Sequence, residues 1–270
     1  MRKKGEDVLL DNKTAVVYGA GGSIGGAVAR AFAREGARVF LAGRTEATLN
    51  RVAQEIRAAG GEAETAQVDA LDEESVDDHA DGLARRAGSI DVSFSAVGSG
   101  DLHGTPVLQM AFEDFVAPIN DAIRAQFLTA RAAARHMVPR GSGAILAITA
   151  TTARQALPEV GGTGVRFDAI ESLCRQLASE LGPSGIRVMA LRTTGIPETL
   201  ADTGALFPGY GTGAGGMTRA ELIDWLQSKT MLKRLTTLSE IANVAAFMAS
   251  DQASAVTGSV VNVNSGAVWG

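Results

Sequence analysis

The sequence predicts an α/β fold, a doubly wound, mostly parallel seven-stranded sheet with helices on both faces. Three observations lead there. Apolar runs of strand length alternate with helix-length segments from Thr14 onwards, the rhythm of parallel strands joined by crossover helices. Intervening stretches such as Ile24, Val28, Ala31 and Phe32, or Leu49, Val52 and Ile56, are spaced to bury one face of a helix. The first strand runs straight into a glycine-rich turn and a helix. With 46% apolar and 20% charged residues in 270, the chain has enough core for this architecture.

In order, the strands are expected at 14–18, 38–42, 62–67, 90–95, 144–149, 186–191 and 258–263, with six helical regions between them. The acidic run Glu73, Glu74, Asp77, Asp78 and Asp81 reads as a solvated helix face. Residues 163–181 read as a helix in which Cys174 falls among Ile170, Leu173, Leu177 and Leu181, so its thiol is expected to be buried packing. As the sole cysteine it permits neither an intrachain disulfide nor a cysteine metal cluster, and no metal site is expected. Residues 200–217 are glycine-rich and costly to order, a mobile loop near the carboxyl ends of the strands. Residues 1–270 are read as a single domain with a flexible substrate-side loop at about 196–230.

A formal charge of −5 and a pI near 5.3 disfavour polyanion partners, so no nucleic acid is expected. The basic residues of 1–4 lead into a segment too short and too acidic for a signal peptide, and no apolar run approaches the ~18 residues of a spanning helix. A cytoplasmic location with no membrane partner is the expectation.

Strand 14–18 and the turn Gly19-Ala-Gly-Gly-Ser-Ile-Gly25 form the first βα unit, where a dinucleotide pyrophosphate meets unpaired backbone N–H groups and the positive end of a helix. Gly25 lets helix and strand pack closely. The second strand ends at Ala42-Gly43-Arg44. An acidic residue at 43 would select NAD; glycine followed by arginine leaves room and a cation for a 2′-phosphate, so NADP(H) is the expected cofactor.

With these residues in place the chain resembles the short-chain dehydrogenase/reductase family from about Asn12 to Gly270. Tyr18-Gly-Ala-Gly-Gly-Ser-Ile-Gly25 is similar to its Thr-Gly-x-x-x-Gly-Ile-Gly, and Val68-Asp69 to its adenine-contacting pair. Ile90-Asp-Val, Ala178 to Val188 and Ala253 to Val263 resemble its fourth-strand entry and late segments. The resemblance implies a Rossmann-like fold, an oxidoreductase activity, a small-molecule substrate and a homo-oligomer, dimer or tetramer. It places Gly19, Ser23, Ile24, Gly25, Arg44, Asp69, Ala96 and Gly98 at the cofactor. Ser23 stands at the family's second glycine, with a hydroxyl able to cap the helix or bind a phosphate oxygen.

The same resemblance implies that the Asn-Ser-Tyr-Lys relay is missing, because those four positions hold Ala122, Ala150, Thr163 and Phe167. In the family the tyrosine moves the carbonyl proton, the serine positions that oxygen, and the lysine tunes the tyrosine and holds the nicotinamide ribose. A threonine hydroxyl is far too weak an acid to act alone, and phenylalanine offers neither charge nor donor. Substitutes are His103, just beyond strand four, Thr151 after strand five, and Tyr210 in the glycine-rich loop. A loop histidine is more often a surface residue, a strand-end threonine a routine β former, and a loop tyrosine an anchor. Arg154 and Glu159 are placed to pair or to bind a charged substrate. The expected function is an atypical NADP-dependent reductase or dehydrogenase of an unidentified carbonyl or alcohol. The alternatives are a non-redox lyase, isomerase or cyclase on the same scaffold, and a noncatalytic dinucleotide-binding subunit.

Overall fold

The structure, a computed structural model, describes residues 8–98, 100, 103–200 and 217–269. It contains one seven-stranded sheet, all parallel, formed by β1 (Thr14–Tyr18), β2 (Arg38–Gly43), β3 (Glu62–Gln67), β4 (Val92–Ser95), β5 (Gly143–Ala150), β6 (Ile186–Thr193) and β7 (Val260–Val263). Their spatial order is β3-β2-β1-β4-β5-β6-β7. The chain therefore winds outward from β1 to β3 and then returns to place β4 on the other side of β1. That reversal opens a crevice between the carboxyl ends of β1 and β4.

Alternation along each strand divides the core in two. Val17, Leu41, Phe94, Leu146 and Leu191 point to one face, covered by α1 (Ser23–Arg34), α2 (Glu46–Ala58) and α7 (Leu238–Ala249). Val16, Phe40, Ile145, Ala147 and Ala190 point to the other, covered by α3 (Glu73–Ala87), α4 (Phe112–Met137) and α5 (Thr163–Leu181). The doubly wound expectation holds, and α5 spans the expected residues. Cys174 is buried, and desolvation pushes its thiol up to about 12.

Strands four and seven begin two residues later than their apolar runs, for different local reasons. Asp91 uses its carboxylate to accept the Thr14 N–H at 2.8 Å, which tethers the start of β1 instead of extending β4. Gly258 turns the chain with φ +65° while its N–H bonds the Val188 carbonyl at 2.8 Å. The 196–230 segment is partly helical: α6 (Arg219–Lys229) starts at a capping box in which Thr218 and Glu221 satisfy each other's orphan backbone groups. Residues 201–216, including Tyr210, lie outside the described residues. The acidic face of α3 is not simply solvated, since Asp77 is met by Arg131 at 3.0 Å and Arg135 at 2.6 Å, and Asp81 by His136 at 2.8 Å, all from α4. No described helix is long and apolar enough to cross a membrane, and no cluster of metal-binding side chains occurs among the described residues.

Candidate active site

A cavity of about 420 Å³ occupies the crevice where the strand order reverses. Gly19, Gly21 and Gly22 form its floor, and Ala42, Gly43, Arg44, Thr45 and Thr48 close one end. Val68, Asp69, Ala70 and Leu71 line the side, while Ala96, Gly98, Gly100 and Asp121 lead along β4 toward α4. Gly19 adopts φ +75°, and a Cβ there would stand 2.5 Å from the Ala96 carbonyl oxygen, so only glycine turns the chain this tightly. A Cβ on Gly25 would run into the Gly19 carbonyl, which is the close helix packing expected of it.

Helix α1 begins at Ser23 with Gly22 as its N-cap, and among the described residues no side chain caps its first turn. Ser23 therefore does not cap the helix, contrary to one expectation, because it is already the first helical residue. The open N–H groups leave a bed for an anion. Arg44 is exposed at the rim, and no carboxylate holds it among the described residues. Gln67 fixes the backbone beneath it by donating to the Arg44 carbonyl at 3.0 Å. Asp69 is exposed and accepts the Leu71 N–H at 3.0 Å, which shapes the turn along the cavity wall.

Of the eight residues assigned to the cofactor, Gly19, Arg44, Asp69, Ala96 and Gly98 line the cavity, whereas Ser23, Ile24 and Gly25 stand behind the floor at the start of α1. Thr45, Thr48, Leu71 and Asp121 line it without having been anticipated. Thr45 follows Arg44 directly, Thr48 lies four residues after Arg44 and Leu71 two after Asp69, so nearness to an assigned residue was a usable signal. Nothing local marks Asp121.

The positions of the expected relay divide. Ala122 is buried in α4, and Ala150 ends β5 opposite Thr193. Phe167 packs into the α3–α5 core, with the Arg166 guanidinium 4.1 Å from its ring centroid. Thr163, buried at the first turn of α5, has its Oγ1 3.0 Å from His103 Nε2, so two residues 60 apart in sequence meet. Thr151 is buried in the short turn after β5, where its carbonyl accepts the N–H groups of Arg154 and Gln155. Arg154 pairs with Asp168 at 2.8 Å and approaches Glu171 at 3.6 Å, so its partner is not Glu159. Tyr18 is core, edge-on to His79 at 5.8 Å between ring centroids.

One buried ion pair, Glu171 with Arg192, escaped the sequence reading. Glu171 on α5, fully buried, accepts Arg192 Nε and Nη2 at 2.8 Å each and the Thr149 hydroxyl at 3.0 Å. Arg192 also reaches Asn262 of β7 at 3.2 Å. The cluster ties α5 to the carboxyl ends of β5, β6 and β7.

Fold, crevice and glycine floor together define a doubly wound α/β protein built around a dinucleotide-type cleft. The family model described as enoyl-(acyl carrier protein) reductase matches residues 19–268, and the chain belongs to the short-chain dehydrogenase/reductase family. It is 33% identical to the uncharacterized oxidoreductase YxbG of Bacillus subtilis strain 168, over 95% of this chain and 91% of that protein. Among solved structures it is similar to an NAD+-bound xylitol dehydrogenase, with a TM-score of 0.86 at 25% identity over 94% of this chain and 98% of the other. It is also similar to a gluconate 5-dehydrogenase from Burkholderia cenocepacia in complex with NADP and tartrate, with a TM-score of 0.83 at 25% identity over 96% of both chains.

Proposed function

We propose that this protein is an NADP(H)-dependent oxidoreductase of a small carbonyl or alcohol substrate, working without the Asn-Ser-Tyr-Lys relay of its family. The observation that carries the reading is the cleft, which joins a floor free of side chains at Gly19, Gly21 and Gly22 to a rim cation at Arg44 without a carboxylate beside it. Gly19 and the first N–H groups of α1, at Ser23 and Ile24, would hold the pyrophosphate over Gly25. Arg44 would hold a 2′-phosphate, Asp69 with Leu71 the adenine, and Ala96 with Gly98 the path toward the nicotinamide.

When bound, the nicotinamide supplies or accepts a hydride; the protein's part is to bind, orient and handle the accompanying proton. The relatives' named substrates, xylitol and gluconate, favour a secondary alcohol or ketone on a polar molecule as the reacting group. A homo-oligomer is part of the same proposal.

The test is an equilibrium titration with NADPH, followed by nicotinamide fluorescence and calorimetry, with NADH as the comparison. NADPH should bind more tightly and with altered nicotinamide emission. Binding of neither nucleotide would overturn the reading in favour of a non-redox or scaffold role, and equal binding of both would remove Arg44 as the selector.

A further inference from the structure

We propose that Asp121 is a specificity residue of the cleft, which together with Asp69 reads the exocyclic amino group of the nucleotide's base. The inference rests on the NADP-dependent reading above. That reading gives the base to Asp69 and Leu71, whereas Asp121 enters from a different element, α4, and lines the same cavity.

Its placement follows from the neighbours of the cleft. The Val68 N–H donates to the Gly43 carbonyl at 3.0 Å and Gln67 holds the Arg44 carbonyl, so the 68–71 wall starts directly beside Arg44. A base whose ribose carries its 2′-phosphate to Arg44 therefore lies along that wall. At the wall's far end, Arg124 Nε donates to the Leu71 carbonyl at 2.6 Å and clamps α4 against it. Asp121 stands three residues before Arg124, on the same helix face. It is exposed, and among the described residues no hydrogen bond or ion pair occupies its carboxylate. Asp69 is held more firmly. Its Oδ1 accepts the Leu71 N–H at 3.0 Å and its own N–H donates to Ser75 Oγ at 3.3 Å, while no described group holds its Oδ2.

Two carboxylates facing one cleft from two elements are acceptors only. An exocyclic –NH₂ on an aromatic ring is the complementary group, because it offers two N–H donors pointing apart in the ring plane, one for each carboxylate. A ring carbonyl at the same position would set an acceptor against acceptors. Such a base is disfavoured twice, by the bonds it cannot make and by repulsion. A ribose hydroxyl would also suit a carboxylate, but the adenosine ribose end of the cleft belongs to Gly43 and Arg44.

The experiment titrates the full chain by calorimetry with NADPH and with its deamino analogue, in which hypoxanthine replaces adenine. Wild type should prefer NADPH by about 10–100-fold, the range expected when charge-assisted bonds are exchanged for repulsion. Asp121→Ala should weaken NADPH by about 10-fold and leave the analogue unchanged or tighter. Asp121→Asn should narrow the preference by tightening the analogue, because the amide turns N–H donors toward the 6-oxo group. Both nucleotide-free variants should unfold at the wild-type temperature, since the position is exposed, which separates loss of contact from loss of fold. Wild type without a preference, or an unchanged preference in Asp121→Ala, overturns the proposal. So does an equal loss of both nucleotides, which would put Asp121 on a group they share, such as a ribose hydroxyl. Binding of neither nucleotide by wild type is a different result, which removes the underlying NADP-dependent reading and this proposal with it.

Discussion

Glu171→Gln isolates an ion pair whose two side chains are both buried. The Glu171 side chain is 0% exposed and that of Arg192 2% exposed, and two parallel N–H···O bonds of 2.8 Å join them. Removing the negative charge preserves shape but leaves the guanidinium buried without its counterion, a change that typically costs about 3–5 kcal/mol. At about 2–4 °C per kcal/mol for a chain of this size, the melting temperature should fall by roughly 6–20 °C. Arg154 at 3.6 Å from Glu171 sits partly in water and does little to offset the loss on the Arg192 side. Chemical denaturation of wild type, Glu171→Gln, Arg192→Met and the double variant gives the coupling directly. The double variant should recover most of the stability, because two neutral side chains avoid the desolvation of two charges. A loss below ~1 kcal/mol in the single variant, or strict additivity in the cycle, would refute the assignment of a buried, mutually dependent pair.

Arg44→Ala should weaken NADPH binding by roughly 1–3 kcal/mol and leave NADH nearly untouched, as for loss of a charge-assisted contact; paired titrations check it. Gly19→Ala forces a Cβ against the Ala96 carbonyl at φ +75° and should cost about 1–3 kcal/mol in stability, with nucleotide binding reduced further; thermal unfolding with and without NADPH separates the two effects. Burial, with a smaller contribution from Arg86, lowers the His79 imidazole to about 4. A folded-state value below the unfolded one means its contribution is complete above pH ~6.5 and is lost as pH falls toward 4, to a total of roughly 3 kcal/mol. His79→Leu should flatten that part of the stability profile in urea titrations between pH 4 and 7.

Much of the fold was legible because its signals are local. Whether a stretch such as Val16 to Tyr18 is strand, or Val28 to Phe32 helix, follows from the spacing of apolar residues along a few turns of chain. The glycine turn was legible for the same reason, since its backbone conformation and its packing on α1 are imposed by immediate neighbours. The errors were of two kinds, one of boundary and one of partner. Of the two readings of the Ser23 hydroxyl, helix cap or phosphate ligand, the first does not hold, because Ser23 lies one residue inside α1, a shift that pattern reading does not resolve. Asp77 was assigned to solvent because its own helix is acidic, and only the arrival of α4 with Arg131 and Arg135 pairs it.

By itself, then, the sequence determined the alternation of strands and helices, the glycine-lined phosphate turn, the cation at position 44 and the identities at 122, 150, 163 and 167. Tertiary structure alone decided that His103 meets Thr163, that Glu171 is neutralised by Arg192 rather than left to Arg154, and that Asp121 faces the cleft. Local periodicity records which face of an element is buried. The partner on that face is chosen only when loop closure and packing bring distant segments together, and no residue carries a mark of that choice in its own neighbourhood.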